Sequence, residues 1–236
     1  MLDKILPIKF ENVSLAFSSN KIFKNLSLKI SNKGISVIMG PNGAGKSLIL
    51  KLMAGLIKPD SGKIVHANFP PKMNLPCGFV FQKPILLRRT VKENLKYPLG
   101  IIGLNKNEYD GVINNILPNN KWKLILNYPA KKLSVGEQQI LSLLRAIIVK
   151  PKILFLDEPS SSLDPTSTAI IESLITKAAK NNVKIILATH NLVQAKRLAE
   201  EIMFFDEGRL MEQGRADKIL ADRKSLTTSH YLSEFI

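Results

Sequence analysis

Residues 40–47 read GPNGAGKS, with the apolar run ISVIM immediately before them and LILKLMAGLI directly after. The order is buried strand, glycine-rich loop, apolar helix. It commits the chain to an α/β sheet in which one strand ends in a phosphate cradle. Gly40, Gly43 and Gly45 allow left-handed backbone and close approach to an anion. The loop Gly40, Pro41, Asn42, Gly43, Ala44, Gly45 and the helix start Lys46, Ser47, Leu48 together form the candidate nucleotide site. Amides of such a loop and of the helix N-terminus point at phosphate. Lys46 places a point charge on the β- and γ-phosphates, and the Ser47 hydroxyl suits Mg²⁺, a hard cation that takes oxygen ligands. Eight matching residues in this strand–loop–helix frame distinguish the motif from a chance glycine turn.

A second acidic element supports the same chemistry. In ILFLDEP, Asp157 closes a buried apolar run, from where it could reach Mg²⁺ through water. Glu158 follows at the carboxyl edge of that strand, where open α/β sheets bind ligands, and it suits a group that orients or deprotonates an attacking water.

The rest of the chain fits around these two elements. Residues 8–17 and 22–30 alternate apolar and polar positions and predict two strands joined by a polar turn at Ser18, Ser19 and Asn20. Pro59, Asp60, Ser61 and Gly62 predict a turn, and 63–73 are weakly patterned. GFVFQ (78–82), ILFLD (153–157) and VKIILAT (183–189) predict buried strands. Helical patterns broken by Pro, Asn and Gly fill 83–132, and 134–149 predict a long helix with Ser134 as cap and Glu137 three residues later. Helices are expected over 167–180 and 191–201, then a hairpin turning at Glu207 and Gly208. The expected fold is one α/β domain over 1–236: a mainly parallel core sheet covered on both faces, an N-terminal antiparallel β subdomain, and an inserted helical lobe. The core is assigned to 1–82 and 151–236, the lobe to 83–150.

Composition narrows the partners. The chain carries 34 Lys+Arg against 19 Asp+Glu, a net charge of +15. Such an excess suits a polyanion: nucleic acid, an anionic membrane surface or a nucleotide. The lysines are spread, however, and no block of five like charges occurs, so a solvated lysine-rich face is the favoured reading and no nucleic-acid partner is expected. A single cysteine, Cys77, excludes an internal disulfide framework and a multi-cysteine zinc site. No apolar run reaches the roughly 18–20 residues of a membrane span, residues 140–149 being interrupted by Arg145. The opening MLDKILPIKF lacks a signal-peptide core, so the chain is expected not to cross a membrane by itself.

In their order, these motifs resemble the ATP-binding subunit of ABC transporters over nearly the whole chain, which makes the expected fold that of an ABC-type P-loop NTPase. The cradle resembles Walker A, and ILFLDE resembles Walker B followed by the catalytic glutamate, Glu158. Gln82 stands where the family's Q-loop glutamine is expected, which implies a catalytic and metal-binding role beside Lys46, Ser47 and Asp157. LSVGEQQ (133–139) looks like the signature, SSLD (161–164) like the D-loop with Asp164, and His190 like the switch histidine. Phe17 falls where an aromatic residue stacks on adenine. The resemblance implies two ATP molecules with Mg²⁺ between two copies of the chain arranged head to tail, with Ser134 and Gly136 reaching the γ-phosphate of the other copy. It further implies transmembrane permease subunits, an extracytoplasmic substrate-binding protein acting indirectly, and a place at the cytoplasmic face of the membrane.

Three positions depart from the family pattern. Val135 replaces the first signature glycine; β-branching disfavours left-handed backbone, so weakened turnover is expected if that position needs it. Leu48 replaces a frequent threonine, and Ile140 a frequent basic residue. One set of motifs points to a separate importer subunit, and residues 189–214 are similar to the ATPases of tungstate-type and phosphate-type oxyanion importers. The expected function is therefore ATP hydrolysis that drives an oxyanion importer. A soluble ABC-family ATPase acting on nucleic acid or the ribosome, a transporter of another cargo, and a degenerate regulatory subunit stay open. Leu86, Leu87 and Val91 are candidates either for permease contact or for packing the lobe.

Overall fold

A computed structural model describes residues 6–18, 20–32, 34–66 and 76–222. The weakly patterned stretch beyond residue 66 and the chain after 222 lie outside them. In chain order the elements begin with β1 (Ile8–Phe17), β2 (Asn20–Ile30), β3 (Ile35–Met39), α1 (Lys46–Met53), β4 (Ser61–His66) and β5 (Cys77–Val80). Four helices follow: α2 (Val91–Ile101), α3 (Tyr109–Ile116), α4 (Asn120–Leu124) and α5 (Val135–Ile147). The chain continues through β6 (Ile153–Asp157), α6 (Pro165–Lys180), β7 (Lys184–Ala188), α7 (Leu192–Leu198), β8 (Glu201–Asp206), β9 (Arg209–Arg215) and α8 (Ala216–Asp222).

The strands form two sheets. One is antiparallel, in the order β2-β1-β4; the other runs β5-β6-β7-β3-β8-β9, parallel except for the terminal hairpin β8–β9. Successive strand residues point to opposite faces, and each central strand is apolar on both. Val37, Leu154, Leu156, Ile185, Leu187, Ile202 and Phe204 join one core with α5, α6 and the helices of the lobe. Ile38, Ile153, Phe155, Ile186, Met203 and Phe205 join a second core with α1 and the antiparallel sheet. The continuous apolar runs of the sequence are therefore the middle layer of a three-layer molecule. Trp122, which the sequence left without a role, is 2% exposed and anchors α4 in the first core.

Two element ends differ from expectation and one open alternative is decided. The strand expected over 78–82 ends at Val80, which leaves Phe81 and Gln82 in the connection to α2. The helix expected over 191–201 closes at Leu198: Ala199 turns extended and Glu201 opens β8, its carboxylate accepting hydrogen bonds from Ser31 and Ser36. Val91 is fully buried in the lobe, which leaves it no surface for a permease. Ile85, Tyr97 and Ile101 are instead among the large apolar side chains exposed there, at 63%, 47% and 69%. Ile140 is buried between α5 and the sheet, so its departure from a basic residue serves packing.

Candidate nucleotide site

Strand order assembles the site. β5, β6, β7 and β3 are neighbours, so the segments leaving their carboxyl ends share one edge. These segments carry Gln82, Asp157 with Glu158, His190, and the cradle. Residues separated by up to 150 positions thus converge because parallel strands all finish on the same side.

The cradle is built for an anion. α1 starts on Gly45, which supplies no side-chain cap, whereas α2, α5, α6 and α7 each begin on a capping Thr90, Ser134, Asp164 or Asn191. The first-turn donors of α1 are therefore left for a ligand. Gly45 has φ +93°, and an added Cβ would lie 2.8 Å from the Phe23 ring, so β2 lies hard against the loop. Gly43, at φ +87°, has nothing within 4 Å of where a Cβ would stand, which leaves that side of the loop open. The Lys46 ammonium is 5% exposed and donates to the carbonyls of Gly40 and Pro41, both at 2.9 Å. Burial pulls its pKa below the ordinary lysine value, against the pull of Glu158 and Asp157.

Glu158 is the meeting point of the other groups. Its Oε1 lies 3.1 Å from His190 Nδ1 and 3.9 Å from Lys46 Nζ, and its Oε2 accepts a hydrogen bond from Gln82 Nε2 at 3.2 Å. The carboxylate is 11% exposed. Its backbone is held at φ +45°, a left-handed conformation uncommon for a non-glycine residue, and its N–H donates to Ala188 O at 3.0 Å. The strand edge thereby turns the side chain toward the loop.

Ser47 Oγ donates to Asp157 Oδ1 at 2.7 Å, which places the two expected metal ligands side by side. Burial raises the Asp157 pKa above the usual carboxylate range, while the Ser47 hydrogen bond opposes the rise. A hydroxyl beside a desolvated carboxylate fits a hard cation that completes its shell with phosphate oxygens and water.

Ser134, Gly136 and Asp164 form a separate constellation at the starts of α5 and α6. Ser134 Oγ accepts from Glu137 N at 3.2 Å and Glu137 Oε2 accepts from Ser134 N at 3.0 Å, the expected capping box. Glu137 also pairs with Lys121 at 2.8 Å, and that contact holds its carboxyl below the usual range. Sequence reasoning took Glu137 only as a cap; the structure makes it a carboxylate stationed at the signature end of the helix. Val135 is the first residue of α5, with ordinary helical backbone and a side chain 65% exposed. Left-handed strain thus does not arise at that departure. Gly136 is buried, and an added Cβ would lie 2.3 Å from Ser167 Oγ. Asp164 caps α6 by accepting from Ser167 N at 2.9 Å. Phe17 stands apart at the end of β1, 53% exposed, paired across the turn with Asn20. Leu48 is partly buried against the second core.

A sequence profile of ABC transporters matches residues 23–161, more than half of the chain. The chain belongs to the ABC transporter family. Among its ABC relatives is the phosphate import ATP-binding protein PstB of Saccharolobus solfataricus, 35% identical over 236 residues, covering 92% of this chain and 91% of that protein. The tungstate uptake system ATP-binding protein TupC of Peptoclostridium acidaminophilum is 33% identical over 209 residues, covering 88% and 98% respectively. Among solved ABC structures, cbiO1 from Clostridium perfringens, described as part of the ABC transporter complex cbiONQ, superposes with a TM-score of 0.81 at 26% identity, over 98% of this chain and 99% of that one. Among the described residues no helix is long and apolar enough to cross a membrane.

Proposed function

We propose that the chain is the ATP-hydrolysing subunit of an ABC importer for an oxyanion such as phosphate or tungstate. The observation that carries the catalytic reading is the convergence of Gln82, His190 and Lys46 on the Glu158 carboxylate beside a glycine-rich anion cradle. In this reading Lys46 exchanges the Gly40 and Pro41 carbonyls for phosphate oxygens, and the amides at the start of α1 take the remaining charge. Glu158 holds the attacking water and accepts its proton as the water oxygen bonds to the γ-phosphorus and the bond to the β-phosphate breaks. His190 and Gln82 fix the carboxylate from two sides. Mg²⁺, held by Ser47 and Asp157, would supply charge neutralisation on the phosphates. Phe17, exposed at the end of β1, is assigned to the adenine.

The partners follow from the same reading. Ser134 and Gly136 of one copy complete the site of a second copy set head to tail, with Asp164 at the junction. Ile85, Tyr97 and Ile101 give the lobe an exposed apolar face, and the permease docks there. In this reading the chain sits peripherally at the cytoplasmic side of the membrane, with a substrate-binding protein acting from the far side. The relatives named for phosphate import and tungstate uptake support the oxyanion assignment.

The test is uptake of phosphate, tungstate and molybdate in cells carrying the parent chain or Glu158→Gln. The variant is expected to bind ATP, to form a stable dimer, and to hydrolyse about 10²–10⁴-fold more slowly. Selective loss of one oxyanion names the cargo. Rapid turnover by the variant sinks the role of Glu158, and unchanged uptake of all three ions sinks the cargo.

A further inference from the structure

Gln82 reaches Glu158 from a segment that is neither strand nor helix. β5 ends at Val80 and α2 begins at Val91, so the glutamine hangs on a connection whose backbone needs outside support to hold a side chain in place. That support comes from α5. Gln139, 2% exposed on its second turn, donates from Nε2 to Phe81 O at 2.9 Å. Arg145, further along the same helix, donates from Nη1 to Ile85 O at 2.7 Å. The two carbonyls bracket Gln82. Beyond them Asn94, fully buried on α2, accepts from Leu87 N at 2.9 Å and donates to Leu87 O at 3.2 Å. β5 also lies close on α5: a Cβ added at Gly78 would stand 3.1 Å from Ala146 O and 3.2 Å from Ala146 Cβ. The helix that starts at Ser134 and the connection that carries Gln82 are therefore one mechanical body.

We propose that Gln139 and Arg145 are positioning residues for Gln82. They touch no reacting atom. They hold the main chain on either side of Gln82 so that its amide meets the Glu158 carboxylate, and they make its placement follow the placement of α5. A shift at the Ser134 end of the helix is transmitted to Gln82 through two hydrogen bonds, one from an uncharged amide and one from a guanidinium, the stronger kind. The proposal rests on the ATPase reading given above.

The test uses the full chain with Gln139→Leu, Arg145→Met and Arg145→Lys, read by steady-state hydrolysis and by amide hydrogen exchange of the nucleotide-free protein. Leucine matches the glutamine in size but donates nothing; lysine can still reach a carbonyl. In Gln139→Leu and Arg145→Met, kcat is expected to fall about ten- to a hundredfold, the cost of a small misplacement, with KM for ATP within about twofold. Amides of 81–87 are expected to exchange about tenfold faster while β6 and α1 keep their protection. Arg145→Lys should restore both readouts to near the parent. Unchanged exchange in 81–87 overturns the proposal, as does a loss of kcat accompanied by faster exchange throughout the chain. A parent that hydrolyses no ATP overturns the ATPase reading instead, and the exchange arm still decides whether α5 fastens the connection.

Discussion

The contact between the starts of α5 and α6 gives a sharp test of why Gly136 is a glycine. Alanine in place of a helical glycine normally stabilises by about 0.5–1 kcal/mol, because glycine loses more backbone freedom on folding. At Gly136 a new methyl would lie 2.3 Å from Ser167 Oγ, 2.8 Å from Ser167 Cβ and 3.2 Å from Asp164 Oδ2. Overpacking of this kind costs about 1–3 kcal/mol. Gly111 in α3 is the control: it is helical, and nothing stands within 4 Å of its absent Cβ. Gly111→Ala should therefore gain the propensity term, and Gly136→Ala should lose the overpacking term against the same gain. The difference between the two variants isolates the clash, about 1–3 kcal/mol. For a chain of this length that is a gap of about 2–12 °C in Tm. Urea and thermal unfolding of the nucleotide-free protein measure it. Ser167→Gly removes both crowding atoms and should recover most of the loss in the Gly136→Ala background, a coupling of about 1–3 kcal/mol. Gly136→Ala should also slow hydrolysis, since it pushes the Ser134 end of α5 away from α6. If Gly136→Ala proves as stable as Gly111→Ala, the close approach is not what selects glycine, and the packing argument is refuted.

Three further expectations follow from particular contacts. Burial raises the Asp157 pKa, so the folded chain binds more protons than the unfolded chain between the ordinary carboxylate value and the raised one, and the desolvation cost is fully present above that window. Nucleotide-free Asp157→Asn should thus be more stable than the parent at pH 7.5, lose that advantage as the pH is lowered, and lack Mg²⁺-dependent hydrolysis; a parent that melts higher at pH 7.5 contradicts this. Lys184, which donates to Ser36 at 2.7 Å and Ser31 at 3.2 Å, is brought down to about 8 by burial, against the pull of Glu201 and Glu200. Between that value and the ordinary lysine value the unfolded chain binds more protons, so stability rises with pH; Lys184→Met lacks this rise, and its deficit against the parent should widen from pH 7.5 to 9.5 in parallel melts. Val135→Gly should preserve or raise ATPase activity, because Val135 packs little and needs no special backbone, and a large loss of rate would refute that.

What the sequence revealed, and what it hid, follows from the range of the interactions involved. The cradle, the Ser134 capping box and the strand end at Asp157 were legible because each is decided by residues within a few positions: a glycine at a fixed offset, Ser134 three before Glu137, an apolar run that stops at Asp157. The neighbourhood of Glu158 could be inferred only from the order of motifs, since Gln82 and His190 come to it through strand order, which no local pattern records. The tight fit of Gly136 against Ser167 was invisible because it depends on how two helices cross. Glu201 shows the reverse failure: a charged residue after a helical pattern reads as helix, yet its carboxylate is drawn into the polar cluster of Ser31, Ser36 and Gln213 and starts a strand.

Three side chains of the site find their partners within the protein. Lys46 is bonded to its own loop, Ser47 to Asp157, and Gln82 to Glu158. For these side chains nucleotide binding exchanges hydrogen bonds instead of adding them, and exchange of this kind contributes far less than the gross strength of each bond. The net gain must come from placing phosphate charge on the uncapped start of α1 and on a desolvated ammonium, where the low local dielectric strengthens each contact. In the proposed mechanism the same exchange would free Asp157 from the Ser47 hydroxyl for a cation, and would loosen Lys46 from Glu158 as that carboxylate takes a proton. Under that mechanism these contacts hold Lys46, Asp157 and Glu158 near the positions in which they would work, and ATP would release them by replacing their partners.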